Sequence, residues 1–321
     1  MTTLTTAIVA DIGGTNTRVA LTDGTEIRHD TIRRFRNSEN AGIEPILETY
    51  LNELQITPQA VCVDVAGPVH DGIGQLTNLD WRVHPDRLTS TTGAGVAEVL
   101  NDLQAQGHAL AHVTSDHLER LLPGHPAATD APKLVVNIGT GLNAAPVYRA
   151  GGQTIVPPAE AGHVTLPAQT PAELRFKDWL AERHGTPGFE DVLSGRGLER
   201  LYAWHCLEDN DGVPLEAAEI MKAFSQGQDR ATRTVAMFVR FFGRYASDLA
   251  LVTLPFGGIY LVGGVVRHLG PHLMRMGFAE AFTDKGRFSD YMHQFPVSLL
   301  TDDYAALAGC ANHLAERMNL G

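Results

Sequence analysis

Two stretches of this chain follow the same pattern, and this repeat constrains the fold more than any other feature. Each has an apolar strand, an Asp or Asn followed by Ile, a short turn of Gly and Thr, and a second apolar strand. The stretches are AIVADIGGTNTRVALTDGTEI, from Ala7, and KLVVNIGTGLNAAPVYRAGGQTIV, from Lys133, and they align Asp11 with Asn137. A weak internal repeat of this kind predicts two related α/β units, each presenting a glycine turn to a shared cleft.

Helical and strand patterns alternate along the rest of the chain. Apolar residues at helical spacing predict helices over residues 42–55, 172–184, 214–226, 229–254 and 303–318. Buried strands are predicted in AVCVDVAGP, GGIYLVGGVV and PVSLL, and the segment 94–112 is predicted to form a strand followed by a helix. The proline-rich stretch VPPAEAGHVTLPAQTP is predicted to be loop or edge strand. This alternation favours sheets flanked by helices.

Composition excludes several classes of protein. The 321 residues suggest two domains, with one large domain as the alternative, and 44% hydrophobic with 19% charged residues is typical of a globular chain. The net charge is 25 − 37 = −12, and no basic block is present. An acidic chain of this kind is a poor partner for nucleic acid or an anionic membrane surface.

The cysteines and the apolar stretches indicate a cytoplasmic protein. Cys62, Cys206 and Cys310 are scattered and suggest neither a disulfide framework nor a Cys-x-x-Cys metal site, so a reducing compartment is expected. The N-terminal residues lack the pattern of a signal peptide. The longest apolar stretch, 235–254, contains two arginines and an aspartate, which predicts a buried helix of a soluble protein.

The first glycine turn, Asp11–Asn16, has the composition of a phosphate-binding turn. Its two glycines allow backbone N–H groups to approach an anion closely, and Thr15 and Asn16 add side-chain donors. Because a carboxylate repels a bare phosphate, Asp11 suggests a metal ion between the two. A plain hairpin turn explains the hexapeptide equally well.

Two further glycine turns extend this interpretation. Gly139-Thr140-Gly141 repeats the arrangement in the second half, so that two turns could grip a polyphosphate. Gly263-Gly264, between a strand and a helix, could let an adenine ring lie against the backbone, although close strand–helix packing explains the pair as well. No Gly-Lys-Ser/Thr sequence is present, which excludes a P-loop enzyme.

Candidate residues for hydroxyl chemistry lie on other segments. Asn101 and Asp102 follow an apolar run; such a pair can bind a hydroxyl group, and an ionised Asp can take its proton as a new O–P bond forms. The alternative is a helix N-cap, which both residue types favour. Glu160, His163 and Glu190 lie on segments rich in Gly and Pro and could hold sugar hydroxyls, or could simply be polar loop residues.

A group of histidines has zinc-like spacing but does not favour a zinc site. His108 and His112 are four residues apart, with His117 and His125 nearby. The stretch lacks a third ligand close by and the Glu of a zinc protease signature, so a metal role is not favoured.

Taken together, these motifs resemble the bacterial glucokinases of the hexokinase–actin-like ATPase superfamily, in the branch without structural zinc. The resemblance runs nearly end to end, and it rests on DIGGTNTRVAL, AGPV, LTNLDW, LNDLQAQGHAL, IGTGLNAAPV, EAGHVTL, FEDVLSGRGLERLY, FGGIYLVGGVV, FTDKGRFSDYMHQFPV and the start of the closing helix. The related repressor–kinase (ROK) sugar kinases carry a Cys-rich zinc motif after the His-bearing loop. Nothing of that kind follows His163, which favours the zinc-free branch.

The resemblance implies a fold, an activity and partners. The fold would be the two-lobed ribonuclease H-like/actin-like ATPase fold, with a cleft between a small α/β domain, residues 1–111 plus 302–321, and a large α/β domain, residues 112–301. The activity would be ATP-dependent phosphorylation of D-glucose to glucose 6-phosphate, with ATP and Mg²⁺ bound, in a cytoplasmic homodimer. The alternatives are a kinase of another hexose, such as mannose, fructose or an N-acetylhexosamine, and a catalytically impaired sugar-sensing regulator.

The resemblance also assigns roles to residues by matching position. Asp102 would be the catalytic base for the sugar 6-hydroxyl, with the remaining hydroxyls held by Asn78, Asn101, Glu160, His163 and Glu190. The nucleotide would contact Ala10, Asp11, Ile12, Gly13, Gly14, Thr15, Asn16, Gly139, Thr140, Gly141, Gly263 and Gly264. Asp11 would face the Mg²⁺ that arrives with ATP.

Four positions depart from the family pattern. Ala10 and Ala161 stand where Gly is usual, Asn143 also replaces a Gly, and Leu79 replaces a residue that is commonly polar. Because Asn tolerates positive φ better than most residues, Asn143 is compatible with the turn. These departures leave every proposed polar contact and the proposed base in place.

Overall fold

The computed structural model describes residues 6–111 and 113–318. These residues divide into two compact units. The first unit contains residues 6–111, 113–114, 149–158 and 302–318, and the second contains residues 115–148 and 159–301. They are called the first and second units below.

The strands and helices follow one another along the whole chain. The strands are β1 Thr6–Ile12, β2 Asn16–Asp23, β3 Glu26–Ile27, β4 Arg33–Arg36, β5 Ala60–Val65, β6 Val69–His70, β7 Ile73–Gln75, β8 Arg82–Val83, β9 Val96–Asn101, β10 Leu118–Leu122, β11 Lys133–Ile138, β12 Leu142–Ala150, β13 Gln153–Ile155, β14 Ile259–Val262 and β15 Val297–Leu300. The α-helices are α1 Ile43–Leu54, α2 Pro85–Thr92, α3 Asp102–Ala109, α4 Pro171–His184, α5 Gly195–Glu208, α6 Ala217–Ser225, α7 Asp229–Thr253, α8 Gly264–Leu273, α9 Phe278–Thr283, α10 Ser289–Met292 and α11 Ala305–Met318.

The sheet of the first unit has the strand order β3-β2-β1-β5-β9, and β4 also pairs with β2. β1 and β2 form an antiparallel hairpin, whereas β1, β5 and β9 run parallel, so their carboxyl ends lie at one edge. All six residues of β5 are buried because apolar residues of α1 and α2 pack on one face of the sheet and residues of α3 and α11 on the other. This burial on both faces explains the continuous apolar pattern of β5.

The sheet of the second unit repeats this arrangement. Its order is β10-β15-β14-β11-β12-β13, with β11 and β12 antiparallel and β11, β14 and β15 parallel. Its core includes a large set of aromatic side chains, among them Phe238, Phe241 and Phe242 of α7. The antiparallel hairpin followed by two parallel strands is the structural form of the sequence repeat, and the prediction of two related α/β units is confirmed.

The two units do not coincide fully with the predicted division of the chain. Residues 149–158, placed by the sequence in the large domain, belong to the first unit. Thr154 donates from its backbone N–H and its Oγ1 to the carboxylate of Glu316 in α11, both at 2.8 Å. Gln104 Nε2 in α3 donates to the Val156 carbonyl at 2.9 Å. These bonds join two segments that are far apart in sequence, which a local pattern does not reveal.

The predicted helices and strands are confirmed with small shifts at their ends. The helices predicted over 42–55, 172–184, 214–226, 229–254 and 303–318 are α1, α4, α6, α7 and α11. The prediction missed α2, α5, α9, α10, β4, β10 and the three-stranded sheet β6-β7-β8; the strands of that sheet are only two or three residues long. No helix among the described residues combines the length and apolar composition that a membrane span requires.

Candidate active site

The first glycine turn joins β1 to β2 and is closed by a hydrogen bond from the Gly13 N–H to the Asn16 carbonyl, at 3.0 Å. Asn37, which is buried, braces this turn from the segment after β4. Its backbone N–H donates to the Thr15 carbonyl at 3.0 Å and its Nδ2 to the Gly13 carbonyl at 2.7 Å. Its Oδ1 accepts from Thr17 Oγ1 at 2.8 Å. The turn therefore has a defined shape before any ligand arrives.

The residues around this turn point in different directions. The side chains of Ala10 and Ile12 are wholly buried in the core, so only their backbone could meet a nucleotide. Gly14 lies beside Asn78, since a Cβ built on Gly14 would be 3.6 Å from Asn78 Nδ2. One predicted phosphate contact and one predicted sugar contact are thus neighbours in the first unit.

Asp11 lies at the end of β1, on the face opposite Ala10 and Ile12. Arg18 of β2 approaches its carboxylate at 3.4 Å and also donates to the Asp303 carbonyl at 3.2 Å. Burial raises the pKa of Asp11, opposed by the positive charge of Arg18 and by hydrogen bonds from Asp64 and Arg18. Arg18 is not among the predicted site residues, although it is the cross-strand partner of Asp11 in the hairpin.

Asp64 is a second carboxyl in this region that the sequence analysis did not identify. It stands beside Asp11 in the parallel β1–β5 register and is completely buried. Its Oδ2 accepts from the Cys310 thiol of α11 at 3.5 Å. Burial and the nearby charges of Asp11 and Asp102 raise the pKa of Asp64 well above its usual value. The sequence feature that could have identified Asp64 is an aspartate inside the otherwise apolar strand VCVDV.

Asn101 and Asp102 begin α3 where β9 ends. Asn101 is the N-cap of this helix: its Oδ1 accepts from the Leu103 N–H at 3.0 Å, and Gln104 completes a capping box. Asn101 Nδ2 also donates to the Gly67 carbonyl at 2.9 Å. These bonds support the N-cap alternative for Asn101, and its contact with sugar stays a prediction.

Asp102 is the first residue of α3, where its Oδ1 accepts from the Leu103 N–H at 2.8 Å. The positive end of the helix dipole favours an ionised carboxylate at this position. Because β1, β5 and β9 are parallel neighbours, Asp102 lies at the same sheet edge as the first glycine turn. The first unit therefore brings together a carboxylate able to accept a proton and a turn suited to phosphate.

The second glycine turn joins β11 to β12, and the Gly139 N–H donates to the Gly141 carbonyl at 2.9 Å. Gly195, at the start of α5, donates to the Gly139 carbonyl at 3.1 Å. The Glu190 carboxylate accepts from the Leu142 N–H at 2.9 Å, and a Cβ on Gly141 would lie only 2.7 Å from it. Glu190, predicted to bind sugar, thus packs against the second glycine turn.

A short 3-10 turn, Ala161–His163, lies on the proline-rich segment; Glu160 immediately precedes it and His163 is its last residue. Both side chains are exposed. The turn lies directly on the start of β12, because a Cβ on Gly162 would collide with the Leu142 carbonyl. The second unit therefore places Glu160, His163 and Glu190 around one two-residue segment, Leu142–Asn143.

A pocket of about 590 Å³ opens beside the second glycine turn. Most of its lining is glycine or apolar; the residues are Gly139, Thr140, Gly195, Leu198, Ala217, Ala218, Met221, Gly264, Val265, His268 and Leu269. His268 Nδ1 lies 2.7 Å from the Gly264 carbonyl, and because a carbonyl only accepts, this nitrogen carries the proton. Apolar walls with a few polar groups suit a flat heterocycle such as adenine.

Gly263 and Gly264 serve this pocket in different ways. Gly264 begins α8 and lines the pocket. Gly263 has a φ of +103°, and a Cβ there would collide with the Ile138 carbonyl and Asn137 Oδ1. Only glycine allows the end of β14 to approach the second glycine turn this closely. The two glycine motifs of the second half of the chain therefore meet at one pocket.

Metal ligands are sparse. Across residues 6–111 and 113–318, no group of three or more His, Cys, Asp or Glu side chains is placed to hold a metal ion. His108 packs against His313 with ring centroids 4.6 Å apart, and His112 lies outside the described residues. Magnesium needs only one or two protein carboxylates when nucleotide phosphates complete its coordination. The partly exposed Asp11 fits a metal ion that arrives with the nucleotide.

Comparison with known proteins agrees with this geometry. The glucokinase family model matches residues 8–317. A glucokinase of Erwinia tasmaniensis is 32% identical over 316 residues, covering 97% of this chain and 98% of that protein. A glucokinase of Photorhabdus laumondii is 31% identical over 315 residues, covering 98% of each.

Solved structures place the chain in the same fold. The structure of a glucokinase from an Antarctic psychrotroph has a TM-score of 0.87 and 30% identity, over 97% of this chain and 99% of that one. A ROK hexokinase from Thermus thermophilus has a TM-score of 0.71 at 21% identity, over 98% of this chain and 100% of that one, and so shares the fold. The fold is that of the actin-like ATPases, and the chain belongs to the glucokinase family of sugar kinases.

Proposed function

We propose that the protein transfers the γ-phosphoryl group of ATP to the 6-hydroxyl of D-glucose, giving ADP and glucose 6-phosphate (ATP:D-glucose 6-phosphotransferase). The observation that carries this proposal is the position of Asp102. It begins α3 at the sheet edge where β1 ends in the first glycine turn. A proton acceptor and a phosphate-binding turn on one rigid sheet are what phosphoryl transfer to an alcohol requires.

The proposed step involves one bond made and one bond broken. The 6-oxygen of glucose bonds to the γ-phosphorus, and the bond from that phosphorus to the β,γ-bridging oxygen breaks. The hydroxyl proton passes to the Asp102 carboxylate. A carboxylate is too weak a base to deprotonate an alcohol in advance, so it takes the proton as the O–P bond forms.

Each unit has groups to which the proposal assigns a role. In this proposal the pocket beside Gly264 takes the adenine, and the two glycine turns present backbone N–H groups to the phosphates. Mg²⁺, when bound with ATP as MgATP, offsets the charge of the phosphates. Asp11 would face that complex, while Asn78, Glu160, His163 and Glu190 would hold sugar hydroxyls.

The test is an ADP-release assay with glucose, mannose, fructose and N-acetylglucosamine at equal concentrations. We expect kcat/KM to be highest for glucose, and we expect the product to be oxidised by a dehydrogenase specific for glucose 6-phosphate. Faster turnover of another hexose would make the protein a kinase of that sugar. Glucose binding without ADP release would instead indicate a sugar-sensing regulator.

The family resemblance also suggests a homodimer in the cytoplasm. Sedimentation equilibrium of the purified protein is the direct test of the dimer. A single species at twice the chain mass is the expected result, and a monomer at micromolar concentration would contradict it.

A further inference from the structure

Asn143 holds the turn that carries Glu160 through bonds on both sides of that residue. Its Nδ2 donates to the Ala159 carbonyl at 2.5 Å, and its Oδ1 accepts from the Ala161 N–H at 2.9 Å. The same oxygen accepts from the Ala144 N–H at 2.8 Å, which fixes the side chain on its own strand. The backbone on each side of Glu160 is therefore tied to one partly buried carboxamide in β12.

The side chains of the turn do not hold it in place. Within the part of the chain that the structure describes, neither the Glu160 carboxylate nor the His163 ring takes part in a hydrogen bond, and both are exposed. The backbone of the turn is held by β12 instead. Gly162 packs on the Leu142 carbonyl, one residue before Asn143. The backbone of Glu160 and His163 is thus held by β12, while their side chains remain free to bind a ligand.

We propose that Asn143 is a positioning residue for hexose binding: it fixes the Glu160–His163 turn in the conformation that receives the sugar hydroxyls. The inference rests on the proposed function. Ordering a loop at the moment of binding reduces affinity, so a turn ordered beforehand binds a small ligand more tightly. Asn143 would supply that order through its side chain without touching the sugar.

Two substitutions separate the contributions of the carboxamide. Asn143→Ala removes all three bonds. Asn143→Asp keeps an acceptor for the two N–H groups but loses the donor to Ala159 and places a negative charge against that carbonyl. We expect the glucose Kd, measured by calorimetry without nucleotide, to rise roughly tenfold for the Ala variant and roughly threefold for the Asp variant. The ATP Kd should stay within about twofold of the wild-type value.

Asn37→Ala is the matched comparison, because Asn37 braces the first glycine turn in the same way. We expect this variant to raise the ATP Kd and to leave the glucose Kd nearly unchanged. Asn143→Ala would then raise only the glucose Kd, and Asn37→Ala only the ATP Kd. A general loss of stability does not produce such a pair of results.

Hydrogen exchange tests the bracing without reference to activity. The amide of Ala161 should exchange faster in Asn143→Ala than in the wild-type protein, with both free of ligand. Unchanged exchange, or faster exchange with an unchanged glucose Kd, would overturn the proposal; so would equal increases in both ligand Kd values. If the Ala variant does not fold, the Asp variant is judged by the same measurements. If the Ala161 amide exchanges faster in Asn143→Ala but the wild-type protein binds no glucose, the proposed function and the role of Asn143 in hexose binding are both contradicted. The bracing of the turn by Asn143 would still be established.

Discussion

The two glycine turns occupy equivalent places in their units but differ in charge. Each joins an antiparallel hairpin whose first strand is parallel to two further strands. In the first unit the cross-strand pair beside the turn is Asp11 and Arg18, whereas in the second it is Asn137 and Asn143. The strand pair beside the first turn is therefore charged and the pair beside the second is neutral, and the carboxylate at the second turn, Glu190, accepts from the Leu142 N–H.

In the proposed function, this difference predicts that the two turns bind phosphate differently. A carboxylate beside a phosphate is favourable only when a cation lies between them, so the first turn suits a metal-bound phosphate. In the proposed function, the second turn, whose strand pair is neutral, would contact phosphate oxygens through its remaining N–H groups. The repeat would thus provide two phosphate sites of different chemistry, and the following predictions test that distinction.

The largest effect is expected for Asp102→Asn. The amide keeps the shape of the side chain but cannot accept a proton, so kcat should fall by roughly 10² to 10⁴ or more while the glucose Kd changes little. The measurement is steady-state kinetics with calorimetry of glucose binding. Asp86→Asn is the matched control, since Asp86 also lies in the first turn of a helix but is exposed on α2. Near-normal turnover of Asp102→Asn would exclude Asp102 as the base.

Asp11→Asn tests the charged turn. Without the carboxylate, kcat/KM for MgATP should fall by roughly 10²-fold, and more free Mg²⁺ should be needed for half-maximal rate. The measurement is a magnesium titration at fixed ATP. If the variant had the wild-type magnesium dependence, the proposed difference between the two turns would be lost.

Glu160→Ala tests the sugar side of the second unit. The variant should raise the glucose KM by roughly ten- to a hundredfold, because hydroxyl groups in a closed site lose a charged partner worth about 1.5–3 kcal/mol. The ATP KM should be nearly unchanged. An equal rise in the ATP KM would show that Glu160 does not belong to the sugar site.

The smallest effect is expected for Asp64→Asn, and it concerns stability. Because the pKa of Asp64 is raised in the folded protein, folding takes up a proton once the pH exceeds the ordinary value of 3.8. The stability of the wild-type protein therefore decreases as the pH rises from that value toward the folded-state pKa, by up to about 1.4 kcal/mol per pH unit. The Asn variant should lack this dependence, so its Tm relative to wild type should be higher at pH 8 than at pH 5. Parallel Tm profiles would contradict the assignment.

The strands, the main helices and the positions of the turns could be predicted because their signals are local. Glycine pairs after apolar strands indicated three turns, and all three occur at the ends of sheet strands. The N-cap alternative for Asn101 was also available from its residue type and is what the structure contains. Short-range stereochemistry is enough for these features.

The remaining features depend on partners distant in the chain. Asn37 meets a carbonyl 24 residues earlier, and Asn143 meets the backbone 16 and 18 residues later. Asp64 lies beside a cysteine 246 residues away. An asparagine or aspartate in a strand has the same local signal whether it braces a functional turn or faces solvent. Only the tertiary fold distinguishes these cases.

The hydrogen bond between Glu190 and the Leu142 N–H has a consequence for how such an enzyme can change during evolution. In the proposed function, a substitution at Glu190 that alters which sugar hydroxyl is bound would also remove the acceptor of the Leu142 N–H beside the second glycine turn. A change of hexose preference through a substitution at Glu190 would therefore also reduce the catalytic rate. Glu160, which projects from a turn held by its backbone, can vary with less damage, so new sugar specificities should arise there first.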